Sequence, residues 1–229
     1  MITHRIFFLA VPLLAMALSG LTLAHHDGDH AAEEELVDAV RGGDRDRVAA
    51  LLDRDTDVEA ALSDGEYEGK TALMWAAEAG DVAILEKLID AGADVDARNP
   101  KGGTALMYAA VNGREDAARI LVDAGADPNH SVRHGWTPVL LAAAKSHDDT
   151  VTALVELGAD HDPRDVYGWT PLMRAAERGD REMVRTLLEL GADVDAEDNA
   201  GNTARTIARR TGNRDVLDLL RRADDESSS

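Results

Sequence analysis

The sequence predicts an all-α repeat solenoid of about six stacked units, and three registers sharing one period predict it. A threonine recurs every 33 residues, at Thr71, Thr104, Thr137, Thr170 and Thr203. A Gly-Ala-Asp triplet keeps the same step, starting at Gly92, Gly125, Gly158 and Gly191, and so does an Ala-Ala pair starting at Ala76, Ala109, Ala142 and Ala175. Registers that stay in phase mark copies of one supersecondary unit, which bury their cores against each other. Such a stack is a scaffold, and scaffolds of this kind bind more often than they catalyse.

Each element follows from residue chemistry. Gly102, Gly135, Gly168 and Gly201 fall where a hairpin must turn tightly. The threonines stand at the start of a first helix, where a hydroxyl can accept a free backbone N–H. Pro138 and Pro171 follow at the first helical position, where a missing N–H costs nothing. The Ala-Ala pairs allow close helix approach. Val82, Leu85, Leu88 and Ile89 carry the 3.6-residue stripe of a second helix, and Gly92 and its equivalents end that helix in the left-handed conformation.

The unit resembles an ankyrin repeat, whose pattern is roughly D-x-x-G-x-T-P-L-H-x-A-A-x-x-G, then a second helix ending in L-L, then G-A-D. The copy from Asp165 to Gly179, with Leu187-Leu188 and Gly191-Ala192-Asp193, is nearest to it, and the resemblance covers about Glu33 to Ala223. It departs at the family's histidine, replaced by Met74, Met107, Leu140, Met173 and Thr206, and at Ser146, which stands where Gly80, Gly113, Gly179 and Gly212 occur. The methionines are expected as adaptable core filler.

The ends read as caps. Residues 33–65 form a degenerate first repeat with extra residues in the loop Ala61 to Lys70. Full repeats occupy 66–98, 99–131, 132–164 and 165–197. A capping repeat spans 198–224, with Arg205, Arg209, Arg210, Arg221 and Arg222 giving it a polar outer side, as a terminal repeat needs. Residues 225–229 read as a disordered tail.

Residues 1–24 resemble a secretory signal peptide: Arg5, an apolar run from Ile6 to Leu18, and a small-residue site at Thr22-Leu23-Ala24. The run is short for a membrane span, so export to the periplasm or beyond is expected, with no membrane attachment after cleavage. The chain has no cysteine, which rules out disulfides and thiol-linked lipid and suits an oxidising compartment. Its formal charge of −20 disfavours nucleic acid and anionic lipid as bulk partners.

No catalytic set emerges, and no cofactor is expected. There is no cysteine nucleophile, no phosphate-binding glycine loop and no nucleophile elbow around Ser63, Ser131 or Ser146. Asp53, Asp55 and Asp57 superficially resemble a calcium loop, but its glycine and glutamate positions hold Val58 and Asp64. Residues 25–32 read as a flexible His/Asp-rich segment. His25, His26 and His30 supply imidazoles suited to copper, nickel or zinc, giving metal binding or delivery as the alternative function.

The ankyrin resemblance implies a groove lined by hairpins and first helices. Carried over by position, its partner-binding residues are Lys101, Arg133, His134, Trp136, Lys145, Tyr167, Trp169 and Arg178. Lys70, Arg98, Arg164, Glu78, Val111, Asn112 and Glu177 map to the same surface. Outside residues 1–24 the aromatics are Tyr67, Trp75, Tyr108, Trp136, Tyr167 and Trp169, and all map to hairpins or first helices. Trp75 and Tyr108 are expected in the repeat core, and Trp136 and Trp169 facing solvent. The function this implies is a monomeric, non-enzymatic scaffold for a protein or peptide, in an inhibitor, immunity or assembly-helper role.

Overall fold

The computed structural model describes residues 34–54, 56–61 and 69–227. The segments read as a signal peptide and a histidine-rich tail, Tyr67 and most of the loop Ala61 to Lys70 lie outside these residues. Helices follow in pairs. The first repeat holds α1 over 34–41 and α2, Arg45–Leu52. Then come α3 Ala72–Ala79, α4 Val82–Asp90, α5 Ala105–Val111, α6 Glu115–Asp123, α7 Pro138–Ala144 and α8 Asp148–Glu156. The stack ends with α9 Pro171–Arg178, α10 Arg181–Glu189, α11 Ala204–Thr211 and α12 Arg214–Ser227. The last helix runs into the segment 225–229 read as a disordered tail, because no glycine or proline stops it after the stripe Val216, Leu217 and Leu220.

The pairs stack in two layers. First helices pack in the order α3, α5, α7, α9, α11, and second helices in the order α2, α4, α6, α8, α10, α12. One continuous core runs from Leu36 to Leu220. The Ala-Ala pairs are fully buried where first helices meet, so the absence of longer side chains sets their separation. Met74 and Met173 are buried in this layer, and Met107 is nearly so.

Capping follows the expected chemistry with one exception. Thr71, Thr137, Thr170 and Thr203 each accept from the backbone N–H three residues on. Thr104 is buried and makes no such bond. The second helices end two residues before the glycine: Ala91 caps α4 in a right-handed conformation and Gly92 follows at φ 95°. There Ala93 N–H reaches back to the Leu88 carbonyl, a Schellman closure.

Repeats are also tied by side chains at equivalent positions. Arg114, His147 and Asn213 begin second helices and donate to carbonyls near the end of the first helix of the preceding repeat, those of Glu78, Val111 and Ala176. A second ladder runs along the Gly-Ala-Asp turns. Glu59, Asp96, Asn129 and Asp162 accept from the N–H of Asp94, Asp127, Asp160 and Asp193 in the next repeat. Arg205, at a position that holds Leu73, Leu106, Val139 and Leu172 in the other repeats, is half-buried, with Asp195 as an ion partner at 3.7 Å.

Candidate partner-binding face

The hairpins that precede the first helices share one backbone scheme. Asn99, Asp165 and Asp198 each use Oδ1 to accept the N–H groups two and four residues on. The glycine three residues after each closes the turn at positive φ. In repeat 4 the accepting position is Val132, which has no side-chain oxygen to offer. There His134 adopts φ 67°, whereas its counterparts Lys101, Tyr167 and Ala200 do not have positive φ. The tips are joined across repeats, with Val166 N–H donating to the His134 carbonyl at 3.0 Å and Asn199 N–H to that of Tyr167 at 3.0 Å.

Behind the tips, two positions of the repeat interleave: the residue before the threonine and the residue four after it. In repeat 2 these are Lys70 and Trp75. The Lys70 ammonium lies 3.6 Å from the Trp75 ring centroid and 4.3 Å from that of Tyr108, one repeat further on. Lys70 is 2 % exposed and also bonds Glu78. In repeats 4 and 5 the roles reverse. Trp136 and Trp169 precede the threonines, and Arg174, four after Thr170, carries the charge. Its guanidinium lies 5.0 Å from the Trp136 centroid and 4.6 Å from that of Trp169. Arg174 Nη2 also donates to Asp165 Oδ2 at 2.5 Å. Gly103 holds the intervening position in repeat 3, so the row has no side chain there.

Burial shifts the ionisation of the first stack. Desolvation holds the Lys70 ammonium below its usual range, against the opposing pull of Glu78. Desolvation also raises the Tyr108 phenol, partly offset by the Asn99 amide donating to its oxygen at 2.9 Å.

Charge is segregated between the two layers. Hairpins 98–103, 131–136 and 164–169, with α5, α7, α9 and their C-caps, carry Arg98, Lys101, Arg133, Lys145, Arg164, Arg174 and Arg178 against Asp165 and Glu177. The second helices α6, α8 and α10 carry Glu115, Asp116, Asp123, Asp148, Asp149, Glu156, Glu182 and Glu189 against Arg119, Arg181 and Arg185, a net acidic layer in which α10 alone is balanced. Acidic turn residues such as Asp160, Asp162 and Asp193 follow them. A chain of net charge −20 therefore presents a cationic strip along these hairpins and first helices.

Among the expected site residues, Lys101, Arg133, His134, Lys145, Tyr167 and Arg178 are exposed. Tyr167 and its neighbour Val166 are the large hydrophobics most open to solvent among the described residues, at 61 % and 53 %. Arg178 Nη1 donates to the carbonyl of Ala144 on α7, the first helix of the preceding repeat. Trp136 and Trp169 are not solvent-facing: both are half-buried, and Trp169 packs against the core. The reason is Arg174, whose charge occupies the space that positional mapping left open. Trp75 and Tyr108 pack on the core as expected. Lys70 belongs to its stack and not to the open surface.

Sequence reasoning missed Arg174, Asp165 and Val166. A signal was present: Arg174 shares its register with Trp75 and Tyr108, so a cation there faced the aromatic position of neighbouring repeats. His25, His26 and His30 lie outside the described residues. Among the described residues no group of His, Cys, Asp and Glu could hold a metal ion, and no helix is long and apolar enough to cross a membrane.

Paired helices stacked at a 33-residue period, with hairpin tips beside the first helices, define a helical repeat scaffold with an open face. A family model describing ankyrin repeats in three copies matches residues 36–132, 124–198 and 142–227. The chain belongs to the ankyrin-repeat family. Members of that family are typically non-enzymatic protein-interaction modules. No curated protein matches the chain in sequence.

Proposed function

We propose that this protein is an exported interaction scaffold that binds a protein or peptide through the face formed by its hairpin tips and first helices. The carrying observation is the cationic strip on an acidic chain, with the exposed pair Val166 and Tyr167 at its edge. Aromatic and arginine side chains supply most anchors of protein interfaces. The stacked side chains behind the tips fix the surface before a partner arrives, which lowers the ordering cost of binding. Export rests on residues 1–24, and an inhibitor, immunity or assembly-helper role in the envelope fits that location.

The test is affinity capture from an envelope extract with the chain from His25 onward. Proteins held by the wild type should be lost with Tyr167→Ala combined with Arg133→Glu, and kept with Lys87→Glu on the exposed side of α4. Capture that survives the first pair of changes and fails with Lys87→Glu would move the site to the second-helix layer.

A further inference from the structure

We propose that the segment bound by this face is an extended acidic peptide whose carboxylates recur at about every third residue. The inference rests on the interaction reading above and adds the chemistry of the partner. Lys145 caps α7, and Arg178 is the last residue of α9, one period later. Arg178 Nη1 donates to the Ala144 carbonyl, the group directly before Lys145 in the chain. Arg178 therefore reaches the end of α7, which exposed Lys145 follows in the chain, so adjacent repeats each offer an exposed cation along this row. At the tips, exposed Lys101 and Arg133 stand at adjacent hairpins. None of these four residues makes an ion pair among the described residues.

A carboxylate placed beside such exposed cations gains charge-assisted bonds without breaking an existing ion pair. Arg178 keeps further N–H donors after its bond to Ala144, enough to grip a carboxylate. Spacing then selects the ligand. Packed helices lie about 8–10 Å apart, and an extended chain rises about 3.3 Å per residue. One repeat therefore spans about three residues of a strand running along the stack. The fifth hairpin tip, Val166 and Tyr167, is hydrogen-bonded to the fourth at His134, so an apolar peptide side chain beside the carboxylates finds an exposed apolar contact.

An acidic peptide fits better than nucleic acid. The strip is short, and the rest of a chain of charge −20 repels a long polyanion. A short peptide responds to charges within the screening length of about 8 Å at physiological salt.

Fluorescence anisotropy with the full chain tests this. The probe is a labelled peptide of about twelve residues with glutamate at every third position, one phenylalanine, and serine elsewhere. Binding is expected to weaken as salt rises. Lys145→Glu with Arg178→Glu should weaken it at least about tenfold, and Lys87→Glu should leave it unchanged. A peptide of the same composition with its glutamates at every second position should bind less tightly. Equal affinity for the two peptides, or no effect of the double reversal, overturns the proposal. A single-stranded DNA of similar length binding more tightly overturns it in favour of a nucleic-acid face. If the acidic peptide fails to bind while capture from extract still depends on Tyr167 and Arg133, the chemistry proposed here falls and the interaction reading stands.

Discussion

Trp136 and Trp169, one repeat apart, share a single guanidinium: that of Arg174, at 5.0 and 4.6 Å from their ring centroids. The same cation pairs with buried Asp165, whose other carboxylate oxygen holds the hairpin that carries Trp169. The stack is therefore structural first, and what it offers a partner is a fixed surface.

Replacing the aromatics should consequently cost stability. Trp169→Ala removes core packing and a cation–π contact, with an expected loss of about 2–4 kcal/mol. Trp136→Ala, which is not part of that core, should cost about 1 kcal/mol. Arg174→Ala leaves the Asp165 carboxylate buried without its cation and should cost about 2 kcal/mol. Urea unfolding midpoints measure all three, and a Trp169→Ala protein as stable as wild type would place that ring outside the stack.

Repeat 4 carries avoidable backbone strain. His134 and Ser146 are the non-glycine residues with positive φ among the described residues, at 67° and 61°. Ser146→Gly should raise stability by about 1 kcal/mol, because the left-handed conformation carries no Cβ penalty in glycine. Val132→Asn should restore the missing hairpin acceptor and add about 1 kcal/mol. The backbone coupling constant of His134 should change with it, and an unchanged coupling would break the link between Val132 and that conformation.

Asp162 gives a pH-dependent prediction with a built-in comparison. Desolvation raises its carboxyl pKa above 3.8, against the opposing hydrogen bond from Asp193 N–H. Its Oδ1 is buried with no hydrogen-bond partner among the described residues. Between 3.8 and the raised folded value the native state binds more protons. Stability therefore falls as pH rises through that window, and the penalty persists in full above it. One repeat earlier the same position is Asn129, whose Oδ1 accepts from Asp160 N–H while Nδ2 donates to the Gly158 carbonyl. Asp162→Asn should gain about 1 kcal/mol at pH 7. The gain should shrink as pH falls toward 3.8. Urea midpoints across that range decide it; a gain independent of pH would assign the effect to packing.

Leu154 is fully buried on α8, between α6 and α10 in the second-helix layer. Leu154→Ala should cost about 2–5 kcal/mol by opening a cavity. Because repeats contact only their neighbours, damage here should let the two ends of the stack unfold separately. Thermal unfolding followed by circular dichroism should become multiphasic or shift downward.

The sequence by itself determined the repeat, its period, the helix pairs, the buried Ala-Ala pairs and most caps. Those features come from local chemistry repeated in phase, and five copies make each position legible. It also located the hairpins and first helices that form the open face, and the exposed residues Lys101, Arg133, Lys145, Tyr167 and Arg178. Only the tertiary structure decided which of those side chains are spent on neighbours. Arg174 and Lys70 occupy different positions of the repeat and do the same job, because each reaches across a boundary between repeats to aromatic rings 30 or more residues away. The left-handed turn at His134 likewise accompanies the loss of a side-chain acceptor at Val132, a position at which this copy differs from its neighbours. A period describes what copies share; the contacts that set this face apart join positions at which the copies differ, and only their packing in space brings those together.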